Sequence, residues 1–223
     1  MTVETKKWWM DFWNQRQHGD FRDTPDEHVV RFSKRFFSSL EGKRVLEFGF
    51  GDGKDLLYFY SKGCTCYGIE GSAEICNSFL QRAGQLDSSR IKVGDYQTIL
   101  EGMTTDSLDF IYAMEVLHYL DSKKNIADLL KSFYKVLRKD GKILFSFVHP
   151  QHFFMDNSFR IDKDCREFNK GLPYREGLKF VLFETAKEIK DVFSIFQGIS
   201  IGSHDHSYDL QTRHVFWLVT AHK

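Results

Sequence analysis

Residues 44–53 read R-V-L-E-F-G-F-G-D-G, and this stretch decides the fold. Arg44–Phe48 is a short apolar run, too short for a helix and bounded by glycine, which reads as a buried strand. Gly49, Gly51 and Gly53 follow at alternate positions, and residues 54–62 then place Leu56, Leu57, Phe59 and Tyr60 on a helical stripe that stops at Gly63. The first glycine permits a sharp turn, and the second lets a ligand approach backbone with no Cβ in the way. The helix that opens behind them offers free N–H groups and a favourable dipole to electron-rich groups. Three glycines taken alone fit equally well a tight strand-to-helix turn with no ligand.

Outward from this turn the chain alternates. Residues 65–70 (T-C-Y-G-I-E) form a second strand, and residues 72–83 a helix with Ser72 as its N-cap. Strands three and four are expected at 91–95 and 108–114, and a helix at 123–137 carries Ile126, Leu129, Leu130, Phe133 and Val136 on one face. Asp140-Gly141 turns the chain into a fifth strand at 143–148. Continuous apolar strands separated by helices predict an α/β fold, a doubly wound, mostly parallel, Rossmann-like sheet in three α/β/α layers. Beyond residue 148 the alternation breaks. Residues 149–178 read as irregular, 185–193 as a helix with a Thr185/Glu188 capping box, and 198–202 and 214–221 as an antiparallel pair closing the sheet. The length of 223 residues suits one domain spanning 1–223. Within it we distinguish a helical cover at 1–40, a core at 41–148, an insertion at 149–183 that would cover substrate, and a closing helix and strands at 184–223.

In such a sheet ligands bind beyond the carboxyl ends of the strands. Three acidic residues fall there. Glu47 stands two residues before the first glycine, where it would repel a pyrophosphate but suits a cationic amino group. Glu70 ends the second strand, where a carboxylate can accept from two ribose hydroxyls. Asp95 ends the third, able to accept from an exocyclic amine of adenine, with Tyr96 beside it to stack on a base. A nicotinamide dinucleotide fits poorly, because Lys54 stands where the fingerprint wants a small residue. An amino acid, a ribose and an adenine in one molecule satisfy all three carboxylates, and S-adenosylmethionine is that molecule.

These residues resemble the class I S-adenosylmethionine-dependent methyltransferase family. E-F-G-F-G-D-G (47–53) is similar to its first motif, Y-G-I-E-G-S (67–72) to the second, V-G-D-Y (93–96) to the third, S-L-D-F-I-Y-A-M-E-V-L-H-Y-L (107–120) to the fourth, and L-R-K-D-G-K-I-L-F-S (137–146) to the fifth. The resemblance implies seven strands in the order 3-2-1-4-5-7-6 with strand 7 antiparallel. It implies that Glu47, Gly49 and Gly51 hold the methionine moiety, that Glu70, Gly71 and Ser72 surround the ribose, that Asp95 and Tyr96 bind adenine, and that Met114 flanks the cofactor. W-W-M-D-F-W-N-Q-R (8–16) is similar to the opening helix of thiopurine-type and other small-molecule methyltransferases, which makes Trp9 and Trp13 candidates to cover the sulfonium, where cation–π attraction is worth about 1 kcal/mol or more. The same two rings also fit ordinary docking of a helix onto the sheet.

A sulfonium methyl is already activated, so the protein must mainly hold a nucleophile in line and exclude water. A base is needed only for an acceptor that is protonated at neutral pH. His149 and His152, directly past strand five, are the candidates to touch the acceptor. His118 reads as pocket lining. His204-Asp205-His206 has the look of a metal pair but no third partner at defined spacing, and reads as a solvated polar turn, so no metal is expected. Phe153, Phe154, Phe159, Phe168 and Tyr174 suggest an aromatic cover over a small, partly apolar acceptor.

Lys+Arg and Asp+Glu are both 31, which removes the charge signature of a dedicated nucleic-acid or anionic-membrane binder. The four cysteines (Cys64, Cys66, Cys76 and Cys165) match no zinc spacing and read as free thiols of a reducing compartment. No leader-like apolar region and no run of about 18 apolar residues occurs, so a cytoplasmic monomer or homodimer is expected. Two rival readings remain: a methyltransferase-like binding protein without turnover, and a nicotinamide-dependent oxidoreductase.

Overall fold

The computed structural model describes residues 24–169, 175–207 and 212–223. Its centre is a seven-stranded sheet. Strands β1 (Arg44–Phe48), β2 (Thr65–Glu70), β3 (Ile91–Val93), β4 (Leu108–Ala113) and β5 (Leu137–Val148) are parallel. β10 (Val215–His222) pairs antiparallel with β5 on one side and with β9 (Gln197–Asp205) on the other. The spatial order β3-β2-β1-β4-β5-β10-β9 is the expected seven-stranded arrangement, with β9 and β10 as its sixth and seventh strands.

Alternation along the strands sends side chains to two separate cores. On β1 and β4, Leu46, Phe48, Ile111 and Ala113 join the face covered by α4 (Tyr96–Glu101), α5 (Lys123–Val136) and α6 (Ala186–Val192), around Leu129, Phe133, Phe145, Ile189 and Phe193. Val45, Phe110 and Tyr112 join the opposite face, under α1 (Glu27–Phe36), α2 (Lys54–Ser61) and α3 (Ala73–Arg82), with Val29, Leu56, Phe59 and Phe79. Fourteen of the sixteen residues just named are fully closed to solvent, so each face is a packed interior rather than a cleft.

Three boundaries differ from the sequence reading. The third strand stops at Val93, because Gly94 (φ +128°) breaks the ladder and Asp95 caps α4 instead of ending the strand. Asp140-Gly141 does not separate helix from strand. The strand already starts at Leu137, which pairs with Leu108, and Asp140 (φ +61°) takes up a register shift inside the ladder. The insertion is not irregular: β6 (Ser158–Arg160), β7 (Cys165–Phe168) and β8 (Lys179–Val181) make a second, antiparallel sheet. A third core of Tyr119, Val148, Phe154, Phe168, Phe180 and Phe216 roots this sheet on the main one. Phe154 and Phe168 are consumed in that packing and so line no cleft, Phe159 is exposed, and Tyr174 lies outside the described residues. Only half of the capping box expected at α6 forms. Thr185 Oγ1 accepts from Glu188 N–H, although the Glu188 carboxylate reaches the N–H of Glu184, one residue further back than usual.

Candidate functional site

The glycine turn leaves β1 at the carboxyl edge of the sheet. Gly49, Gly51 and Gly53 all have left-handed backbones, with φ of +71°, +52° and +72°. A Cβ on Gly49 would lie 2.5 Å from Val116 Cγ2, and one on Gly53 only 2.1 Å from the Phe79 ring. Both glycines are therefore dictated by packing as well as by the turn. Gly51 donates its N–H to the Glu70 carboxylate at 3.2 Å, which ties the turn to the end of β2.

Glu70 also accepts from the N–H groups of Gly71 (2.7 Å) and Ser72 (3.2 Å). Burial raises its pKa while these three donors lower it. A carboxylate has about four acceptor directions, so Glu70 is held in place by backbone at the end of β2. Ser72 is buried and caps α3, accepting from Ile75 N–H at 3.3 Å. Asp95 caps α4 through the N–H (2.9 Å) and hydroxyl (2.7 Å) of Thr98. Tyr96, half-buried, sets its ring edge-on to Phe48 at 5.6 Å. Met114 follows β4 and packs against the core under α1 and α2.

Glu47 is more enclosed than the sequence suggests. It is 5 % exposed, on the α1/α2 face, and accepts a 2.8 Å hydrogen bond from the hydroxyl of Tyr112, its register partner on β4. Burial raises its pKa well above the usual carboxylate range, and the nearby Asp55 carboxylate raises it further. Asp55, which the sequence reading passed over, is 3 % exposed, and burial pushes its pKa up to about 7. It accepts from the Asp26 N–H at 2.7 Å and so fixes the start of α1 over the turn. Among the described residues neither carboxylate has an ion-pair partner within contact distance, so the turn holds two adjacent buried acids whose charged forms burial disfavours.

The two histidines past β5 lie at the same edge. His149 is half-buried with its ring against Trp217 (4.1 Å between centres). His152 is 2 % exposed among Phe153, Phe154 and Phe216, and burial drives its pKa down to about 2. In each ring Nδ1 accepts a backbone N–H, from Gln151 and Phe154 respectively, both at 3.1 Å. The neutral ring's proton then resides on Nε2, so each histidine presents a donor and not a base. His118 is 1 % exposed, and burial, assisted by the Arg175 charge, lowers its pKa to about 3. Trp9 and Trp13 lie outside the described residues.

His204 and His206 are not in a solvated turn. β9 runs through Asp205, and His204 is 9 % exposed with its ring stacked on Phe216. The partner missing from local spacing arrives from the other end of the chain: His28, in the first turn of α1, lies with its ring centre 4.2 Å from that of His204 and 5.4 Å from that of His206. No spacing signal could show this, since α1 and β9 meet only through the fold. The four cysteines are buried and unpaired, and burial pushes the thiol of Cys66 up to about 12. No helix among the described residues is long and apolar enough to cross a membrane.

Similar proteins can be set beside this geometry. The chain superposes on a SAM-dependent methyltransferase of Methanosarcina mazei with a TM-score of 0.69 at 16% identity, covering 86% of this chain and 96% of that one. An Aquifex aeolicus SAM-dependent methyltransferase matches with a TM-score of 0.58 at 17% identity, covering 95% and 96%. A Listeria monocytogenes protein described as a putative S-adenosylmethionine-dependent methyltransferase gives 0.61 at 20% identity, covering 87% and 97%. These likenesses establish the fold. No curated protein matches the sequence. A family model, the methyltransferase domain, matches residues 12–193, from before α1 through α6. The chain belongs to the methyltransferase domain family.

Proposed function

We propose that the protein transfers the methyl group of S-adenosylmethionine to a small, partly apolar acceptor. The observation that carries this reading is the row of carboxylates at the carboxyl tips of adjacent strands: Glu47 on β1, Glu70 on β2 and Asp95 just beyond β3, around a turn of three left-handed glycines. S-adenosylmethionine is the methyl donor. Its ammonium relieves the Glu47/Asp55 pair, its ribose shares the Glu70 carboxylate, and its adenine lies between Asp95 and Tyr96. Met114 flanks it, and Trp9 and Trp13 are the proposed cover.

The chemistry asks little of the chain. The acceptor's lone pair forms the new bond to the methyl carbon as the carbon–sulfur bond breaks, and that electron pair stays on sulfur, which becomes neutral. The protein places the acceptor in line and keeps water out. His149, as an Nε2 donor, suits orienting an acceptor oxygen or nitrogen, and an acceptor proton leaves to solvent, whereas the Nε2 of His152, the other candidate, is closed to solvent and reaches no acceptor among the described residues. The balanced charge of the whole chain favours a small acceptor over nucleic acid.

Calorimetry tests the reading. The wild type should bind S-adenosylmethionine and its demethylated product, and should ignore nicotinamide dinucleotides. Glu70→Ala should weaken binding by about 1–3 kcal/mol through lost charge-assisted hydrogen bonds. Unchanged affinity in that variant, or preference for a nicotinamide dinucleotide, overturns the assignment.

A further inference from the structure

We propose that His28, His204 and His206 form a site for one divalent transition-metal ion of the zinc class, pinning α1 to β9 at the carboxyl edge of the sheet. One nitrogen from each of the three rings lies within 4.8 Å of the others. A tetrahedral ion with bonds of about 2.0–2.1 Å needs these atoms about 3.4 Å apart, so small ring rotations close the set. His28 and His204 are 7 % and 9 % exposed, while His206 is only half-buried and leaves one side open.

The second observation is the state of those rings. Both ring nitrogens of His204 and Nε2 of His28 are shut off from solvent without a hydrogen-bond partner among the described residues. A neutral imidazole always carries one donor and one acceptor, so the unbonded buried nitrogens of His204 and His28 are costly. A metal ion uses the lone pairs and relieves that cost. The Glu27 carboxylate, 3.5 Å from His28 Nε2, adds negative charge beside the cluster and favours a dication. Imidazole ligands select zinc, copper, nickel or cobalt over magnesium or calcium. Three protein ligands leave a fourth position for water or another lone-pair donor.

Uptake of the ion can be read in the absence of S-adenosylmethionine. Full-length protein stripped with a chelator should take up one zinc ion per chain on titration with zinc chloride. Saturating zinc, at about a hundredfold over Kd, should raise Tm by about 5–10 °C. Cobalt chloride in its place should give the intense visible absorption of a four-coordinate site. His204→Gln and the half-exposed His206→Gln should each lower zinc affinity at least about tenfold, the latter with an unchanged circular dichroism spectrum. His222→Gln, at the far end of β10, should bind as the wild type does. Absence of stoichiometric uptake, or wild-type affinity in His206→Gln, overturns the proposal. Loss of S-adenosylmethionine binding alone would strike the methyltransferase reading and leave this one standing.

Discussion

Asp95 has one observed role and one proposed role. Its carboxylate caps α4 through Thr98, and it stands where adenine is proposed to bind. The two roles separate by substitution. Asp95→Asn keeps a good N-cap and removes the charge, so Tm should hold while S-adenosylmethionine binds less tightly. Asp95→Ala should also lose about 1 kcal/mol of stability, read by denaturant unfolding. The sequence shows the aspartate, and the D-x-x-T spacing was the available sign of its cap. Asp55 was less legible, because an aspartate in the first turn of a helix is ordinary and only the packing of α1 over it makes it a buried acid. Its pKa is near 3.8 unfolded and about 7 folded, so between those values unfolding releases a proton. Its contribution therefore favours the fold at low pH and is lost as pH rises toward 7. Asp55→Asn keeps an oxygen for the Asp26 N–H. It should melt about 2–8 °C above the wild type at pH 8, with a smaller difference at pH 5. The same pair predicts that S-adenosylmethionine, by bringing an ammonium to partly protonated acids, releases protons on binding. Its affinity should rise from pH 6 to pH 8, and its heat of binding should depend on the buffer.

At the scale of elements, the first five strands and the helices α2, α3 and α5 could be read because each buried strand is a continuous apolar run and each of these helices shows its stripe, while the six-residue α4 between β3 and β4 was missed. What could not be read were events fixed by a neighbour. The start of β5 at Leu137 depends on Leu108 across the ladder, and the small sheet of the insertion depends on a core supplied by Val148 and Phe216 of the main one. The glycine turn joins both kinds of information. Its composition is plain in the sequence, but the reason Gly53 tolerates no side chain is the Phe79 ring of α3, itself fully buried and held against Phe50. Gly53→Ala should add backbone strain to that overlap, cost about 3 kcal/mol and lower Tm by about 6–12 °C. Replacing Phe79 by Leu in the same chain should return part of the loss.

For the molecule as a whole, distance along the chain decided what could be foreseen. The three proposed cofactor carboxylates follow one another within consecutive strand units, and their order alone suggests a common ligand. His28 and His204 belong to opposite ends of the described chain, and only the closed sheet makes them neighbours. At the amino ends of the strands a comparable meeting occurs: Asp109, 4 % exposed on β4, accepts from the Arg44 N–H at 2.9 Å and pairs with Lys43 (3.3 Å) and Arg138 (2.8 Å), charges that flank β1 and lie on β5.

The position of β10 between β5 and β9 has a consequence for biosynthesis. β9 is translated first, yet it has no strand to pair with until β10 has emerged and slotted in beside β5. Until then a folding chain carries two open sheet edges, one on β5 and one along β9, each able to recruit a strand from a neighbouring molecule.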